Sequence, residues 1–354
     1  MIQRIFHPIG QGAFYSERHM GFNMVYDCGT LPKTNISGKL VKQSFKKSDK
    51  IDILFISHFD SDHVNQIETL KKHCQKINMV VMPLLHPEEK KLISNIYRCL
   101  DGGIVPLIDS PEEFFGEGTT ILYIRSAVGG IEDNISQEIE LAQGIATQAI
   151  DSSSIIMKGT DWMYVPFNFE FTARHNALVK QLKSESIDMD KLKKDLNYAL
   201  SKKTELRRVY NRLDGKINQN SMFVYSGPNK GVPRIDMVYR YQQCSHPYRY
   251  LFYENTKIGC VYTGDGDLNK VDLKQVYRKY MDLVGTIQIP HHGDIKSFNS
   301  TNFTNGEFFC PISVGSRNTY GHPSSAVIAE LMAHNNYVVT ISENPRDLYI
   351  EAIK

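Results

Sequence analysis

The apolar run Ile53-Leu54-Phe55-Ile56 leads, one residue later, into His58-Phe59-Asp60-Ser61-Asp62-His63, and no other segment constrains the fold as strongly. Four side chains able to bind a cation fall within six positions, a density that a plain solvated loop does not need. A strand that stops in a tight turn aims alternate side chains at one point. His58 and Asp60 are therefore expected to face one cation, with Asp62 and His63 reaching a second beside it. A calcium loop fits poorly, because calcium takes oxygen ligands and this run carries two imidazoles. The chain must fold so that distant strand ends bring the remaining ligands to this turn.

Candidates follow in order along the chain. After the β-prone Gly259-Cys260-Val261-Tyr262 comes Thr263-Gly264-Asp265, where Asp265 is expected to bridge both cations, although a Gly-Asp pair alone is a common turn. Helical spacing of Leu273, Val276, Tyr277 and Tyr280 precedes a run at 286–290 that ends in His291-His292-Gly293-Asp294. His291, first after that strand, is expected to close the second site, with His292 orienting it or facing substrate. His322 sits in a turn stiffened by Gly321 and Pro323, placed to donate a hydrogen bond or proton to a substrate oxygen. Two cations about 3.5–4 Å apart can share a hydroxide and clamp a phosphoryl or acyl oxygen, which is hydrolytic chemistry.

These motifs belong to a longer series. Ile9-Gly10-Gln11-Gly12, Tyr26-Asp27-Cys28-Gly29-Thr30, the run 57–63, Asn220-Ser221-Met222-Phe223-Val224, Thr263-Gly264-Asp265, Pro290-His291-His292-Gly293 and residues 318–323 occur in that order. The series resembles the metallo-β-lactamase superfamily, and within it the hydrolase-like domain of ComEC-type DNA-uptake channels and their free-standing relatives. The resemblance implies an α/β fold, a four-layer αββα sandwich with metals at one edge, and a hydrolase that cuts phosphodiesters. It implies two divalent ions, zinc or manganese, on His58, Asp60, Asp62, His63, Asp265 and His291, with Asp62, His292 and His322 needed for turnover. The chain departs from it where many members carry histidine in place of Asp60 and add a mid-chain histidine. His86 and His175 are available for that role, yet each reads better as solvated or capping. An aspartate at position 60 hardens the site and brings manganese into competition with zinc.

The length of 354 residues accommodates one such domain with an inserted subregion at 171–216. That segment carries leucines and other apolar residues near helical spacing (Leu192, Leu196, Leu200, Leu206, Val209, Tyr210, Leu213). The formal charge of the whole chain is only +2, but 171–216 is markedly basic. Three uses of its lysines and arginines stay open: tracking a phosphate backbone, simple solvation, or docking a protein partner or second copy. Tyr239-Arg240-Tyr241 and Tyr248-Arg249-Tyr250 either stack bases or merely alternate along strands. Other strands are expected at 23–26, 79–82, 120–124, 153–157, 222–225, 250–253, 338–341 and 348–350, and a helix at 323–335 with Val327, Ile328, Leu331 and Met332 inward.

Six cysteines without a CxxC pair suggest reduced buried thiols and a cytoplasmic protein. Neither a signal peptide nor a bilayer span is apparent. The leading expectation is a phosphodiesterase or nuclease acting on nucleic acid or nucleotides. Its rivals are a hydrolase of a small ester, lactone or thioester, and a noncatalytic binding or regulatory subunit of the same fold.

Overall fold

The computed structural model describes residues 1–100, 102–127, 137–141, 145–159, 161–213, 217–218, 220–229, 237–243, 249–254, 257–304 and 306–354. Among these, the strands form two sheets of ten and nine strands. The first runs from Arg249–Glu254 and Val238–Gln243 through Tyr349–Ile353, Ile2–Phe6, Phe14–His19, Phe22–Cys28, Lys50–Phe55, Lys76–Pro83 and Thr120–Ile124 to Gln148–Ile150. In the second, Tyr337–Ile341, Phe309–Ser313, Val284–Ile287, Gly259–Tyr262, Asn220–Pro228, Trp162–Glu170, Ile155–Lys158 and Glu138–Glu140 lie side by side, and the ninth, Ser126–Ala127, pairs with Trp162–Glu170 off this path.

Side-chain alternation divides the interior into three cores. Tyr26, Phe55, Tyr164, Val224 and Tyr262 meet between the sheets. Their strand neighbours Val25 and Leu54 point the other way and pack beneath helices through Leu92, Ile96 and Leu206. On the far face of the second sheet, Phe223, Tyr225 and Ile287 pack against Leu273, Val327 and Leu331. Period-2 alternation with both faces buried therefore gives the layer order helix, sheet, sheet, helix, the four-layer αββα sandwich expected.

Phe22–Cys28, Lys50–Phe55, Lys76–Pro83 and Thr120–Ile124 are mutually parallel. So are Gly259–Tyr262, Val284–Ile287, Phe309–Ser313 and Tyr337–Ile341 in the other sheet. Open parallel sheets present functional groups beyond the carboxyl ends of their strands. Here the carboxyl ends of Lys50–Phe55, Gly259–Tyr262 and Val284–Ile287 all feed one edge of the sandwich.

The basic segment crosses that edge. Its helices Thr172–Ser184, Met189–Lys194, Leu196–Ser201 and Lys203–Arg212 connect Trp162–Glu170 to its antiparallel neighbour Asn220–Pro228 in the second sheet. They pack, however, on Pro87–Leu100 in the helix layer of the first sheet: Leu178, Leu206 and Val209 join Leu92 and Ile96 in one core, and Asn95 Nδ2 donates to the Leu192 carbonyl at 2.7 Å. Much of the basic charge is locally paired, Arg208 and Arg212 with Glu185, Lys193 with Glu88 and Lys202 with Glu205.

Several expectations change. Leu196 and Leu200 face solvent, because the segment breaks at the caps Asp195 and Lys202 and a single helical phase does not persist; Ala199 faces inward instead. Met332 is 64 % exposed at the end of the Ser325–Ala333 helix. Arg240 stacks no base: it is buried, pairs with Glu351 at 3.0 Å and lies over the Phe309 ring. Tyr248 and the side chains of Arg249 and Tyr250 lie outside the described residues, as does Cys244. The other five cysteines are buried free thiols. No helix among the described residues is long and apolar enough to cross a membrane.

Candidate metal centre

The carboxylate of Asp265 sits among three imidazoles. Its Oδ1 lies 3.1 Å from His63 Nε2, and its Oδ2 lies 3.8 Å from His58 Nε2 and 3.5 Å from His291 Nε2. His58 Nε2 is also 3.4 Å from Asp60 Oδ2, and His292 Nε2 is 3.1 Å from Asp62 Oδ2. All seven residues are wholly or largely buried.

The other nitrogen of each ring is already engaged. His63 Nδ1 donates to Asp27 Oδ2 at 2.8 Å and His291 Nδ1 to Asp294 Oδ2 at 3.1 Å; His292 Nδ1 donates to the Ser313 carbonyl at 2.9 Å. Ser57 commits its hydroxyl proton to Asp27 at 2.6 Å, so its oxygen accepts from His58 Nδ1 at 2.8 Å. Carboxylate and carbonyl partners of this kind fix the ring tautomer. Four Nε2 atoms therefore converge on the Asp62 and Asp265 carboxylates.

That arrangement fits divalent cations. His58 Nε2, His63 Nε2 and Asp265 Oδ1 are buried without a hydrogen-bond partner, which is costly unless another species satisfies them. His58, His63 and Asp265 form one group with ligand atoms close enough to hold an ion, and Asp62, His63 and His292 form another. Imidazole with carboxylate suits first-row transition metals.

Proton affinities follow the crowding. Burial disfavours the His63 imidazolium, but Asp265 and Asp27 outweigh it and hold its pKa well above the ordinary value. Asp265 is likewise penalised by burial yet held well below the usual carboxylate range by His63 and His291. His292 is raised, Asp62 overcoming its burial. A cation entering here would displace these protons, so its binding is opposed by acid.

Local folding explains why the ligands reach one point. Asp27, at the end of Phe22–Cys28, has a left-handed backbone (φ 54°) and turns its carboxylate onto Ser57 and His63, accepting from Ser57 N at 2.7 Å. Gly29 lets the ligand turn close in, since a Cβ there would lie 2.5–2.6 Å from main-chain atoms of Asp62 and His63. Gly264, at φ +53°, brings the Asp265 turn against Ser57 in the same way.

The sequence reading placed His291 with Asp62 and His63; the structure puts His292 there instead. Both residues have positive φ (48° and 56°), so strand alternation does not decide which ring faces the group. His291 lies between Asp265 and Asp294. With Asp294 and His322 it forms a third potential ligand group, His322 Nε2 being 4.0 Å from Asp294 Oδ1. Burial, then the charges of His291 and His292, lower the His322 pKa to about 4.

Asp60 Oδ1 accepts from Tyr97 OH at 2.7 Å and from Asn218 Nδ2. Asn218 thus stands beside Asp60 as a donor. His86 is exposed, and His175 is half-buried in Thr172–Ser184; neither joins a ligand group among the described residues. Asp27, Tyr97, Asn218 and Asp294 drew no role from the sequence; Asp27 and Asp294 had a signal, their places in the quoted runs Asp27-Cys28-Gly29 and His291-His292-Gly293-Asp294.

A cavity of about 260 Å³ opens onto the carboxylates and is walled by Tyr210 and Asn211 of the basic segment, with Gln11, Leu31, His322 and Tyr320 opposite. Arg174, from the same segment, donates to the Asp265 main-chain carbonyl. The basic segment is therefore a wall of the centre.

No family model and no curated protein matches the chain. Two solved structures are similar to it in outline. The short form of human tRNase Z is 10% identical, with 81% of this chain and 77% of that one covered and a TM-score of 0.37. The metallo-β-lactamase fold protein YhfI from Bacillus subtilis is also 10% identical, with 99% and 100% covered and a TM-score of 0.40.

Proposed function

We propose that this chain is a divalent-metal-dependent hydrolase of phosphodiesters in nucleic acid or nucleotides. The observation that carries the reading is the convergence of four histidine Nε2 atoms, each with Nδ1 tied to an oxygen, on the Asp62 and Asp265 carboxylates. His58, Asp60 and Asp265 would hold one zinc or manganese ion, and Asp62, His63, His292 and Asp265 the other. Ions bound there would activate water and polarise a phosphoryl oxygen.

The protein groups do the rest. Asp27, Ser57 and the Ser313 carbonyl hold the rings in the ligating tautomer. Asp60 is fixed by Tyr97 and Asn218. His322, uncharged at neutral pH by the direction of its shift, donates a hydrogen bond to a non-bridging or departing oxygen. Phosphodiester over carboxylic ester is supported by the resemblance of the motif series to the DNA-uptake hydrolase-like domain.

Elemental analysis of the purified protein, paired with hydrolysis of bis(p-nitrophenyl) phosphate in manganese or zinc, tests this. About two metals per chain with metal-dependent cleavage is the expected result. One metal or none, without cleavage, would turn the assignment to a binding or regulatory subunit.

A further inference from the structure

We propose that the centre accepts a single-stranded nucleic acid continuing on both sides of the scissile phosphodiester, with Tyr320 as the ring on which a base beside the cut stacks. The proposal rests on the phosphodiesterase reading above.

Three cavities share lining residues beside the metal centre. The 260 Å³ cavity over the carboxylates shares Gln11 and Leu31 with a larger one of about 770 Å³. A third of about 400 Å³ shares His291 and His322 with the first. Among the described residues, Tyr320 alone lines all three. A mononucleotide or a cyclic nucleotide needs only the central space and one neighbour. Two further cavities, each joined to the central one through different residues, suit a chain that extends beyond the cut in both.

The walls match the parts of such a chain. The larger cavity is faced by Ile9, Leu31, Pro32 and Ile36, with exposed Arg317 and the carboxylate of Glu343 beside them. Lys296 and Asp294 line the other. Apolar wall bounded by polar and charged groups suits flat bases joined by a sugar–phosphate chain. An acyl chain would account for the apolar wall but not for the second cavity. Tyr320 is 58 % exposed although it belongs to none of the three cores. Its ring lies near-parallel to that of His322, 29° apart with centroids at 5.9 Å, so one face is supported and the other is open to a base.

The test uses the full chain with manganese and four substrates: bis(p-nitrophenyl) phosphate, an end-labelled linear oligonucleotide, a circular single strand and a long-chain p-nitrophenyl ester. The circle is expected to be opened. Tyr320→Ala is expected to raise KM for the linear strand about tenfold with kcat held within about twofold, and Tyr320→Phe to restore it. An intact circle beside a linear strand shortened stepwise from one end would overturn the two-sided path. An unchanged KM in Tyr320→Ala would remove the stacking role. Cleavage of the small diester but of neither strand, or preference for a long-chain p-nitrophenyl ester, would overturn this inference and leave a hydrolase. Failure on every diester, the small one included, would sink the phosphodiesterase reading itself and this proposal with it.

Discussion

Asp27 reaches across 36 positions of sequence to hold His63, its Oδ2 accepting from Nδ1 at 2.8 Å, while the same carboxylate binds both the amide and the hydroxyl of Ser57. One buried acid thus orients two of the imidazoles, His63 directly and His58 through Ser57. Outer partners of this kind typically contribute about 10–100-fold to metal affinity. Asp27→Asn is expected to lower zinc or manganese affinity by about that factor with the fold intact, read by titration against a chelator and by circular dichroism. Unchanged affinity would show that Asp27 serves only the backbone.

Asp265 meets three of the rings, so its loss should cost more than that of any single histidine. Asp265→Ala and Asp62→Ala are expected to abolish metal-dependent turnover in folded protein. Full activity in either would end the two-ion assignment.

His322 lies beyond the two groups proposed as ligands. His322→Ala is therefore expected to slow turnover about 10²–10⁴-fold while metal content stays at the wild-type level. An unchanged rate would leave His322 a structural residue of its turn.

Gly29 presents bare backbone to the ligand turn. Gly29→Ala should force Asp62 and His63 away, costing about 1–3 kcal/mol of stability together with metal affinity. Chemical denaturation and metal titration should move together. A loss of stability with normal metal binding would mean that the turn yields elsewhere.

His7, away from the centre, gives a pH test of the fold. Burial, and after it the charge of Arg18, lowers its pKa from 6.5 to about 3, and its ring stacks on Phe14 with Nε2 at 2.8 Å from Ser16 Oγ. Because the folded pKa lies below the unfolded one, the unfolded chain takes up a proton that the folded chain refuses. Stability is therefore undiminished above pH 6.5 and falls as pH drops toward 3, by on the order of 3 kcal/mol by about pH 4. His7→Gln is expected to lack this component in urea denaturation. A pH-independent gap between the two proteins would show that His7 is protonated in the fold.

Many of the strands and the ligand turn were legible in the sequence because local rules govern them, while Ile2–Phe6, Phe14–His19 and Phe309–Ser313 were not foreseen. Alternation at Val25 and Leu54 marks the faces, and the density of ligand types after Ile56 marks the centre. What escaped depended on contacts between distant segments or on unusual backbone. Nothing near Asn218 or Tyr97 announces that they meet Asp60. Adjacent His291 and His292 cannot be told apart by a period-2 rule when both sit at positive φ. The central strand Trp162–Glu170 was missed altogether. It contains Pro166, which argues against a ladder position; Ile155–Lys158 pairs only with residues 162–164, so the proline falls beyond that ladder.

The segment that walls the cavity is anchored at both ends in one sheet and rests on the helices of the other. It leaves after Trp162–Glu170 and returns before Asn220–Pro228, while His58, Asp60, Asp62, His63, Asp265 and His292 all lie outside it. Its length and charge can drift without displacing those six residues so long as Arg174 keeps the Asp265 carbonyl and Asn218 keeps Asp60. Descendants of such a chain can exchange one substrate for another by rewriting a single stretch, with the cleavage chemistry inherited unchanged.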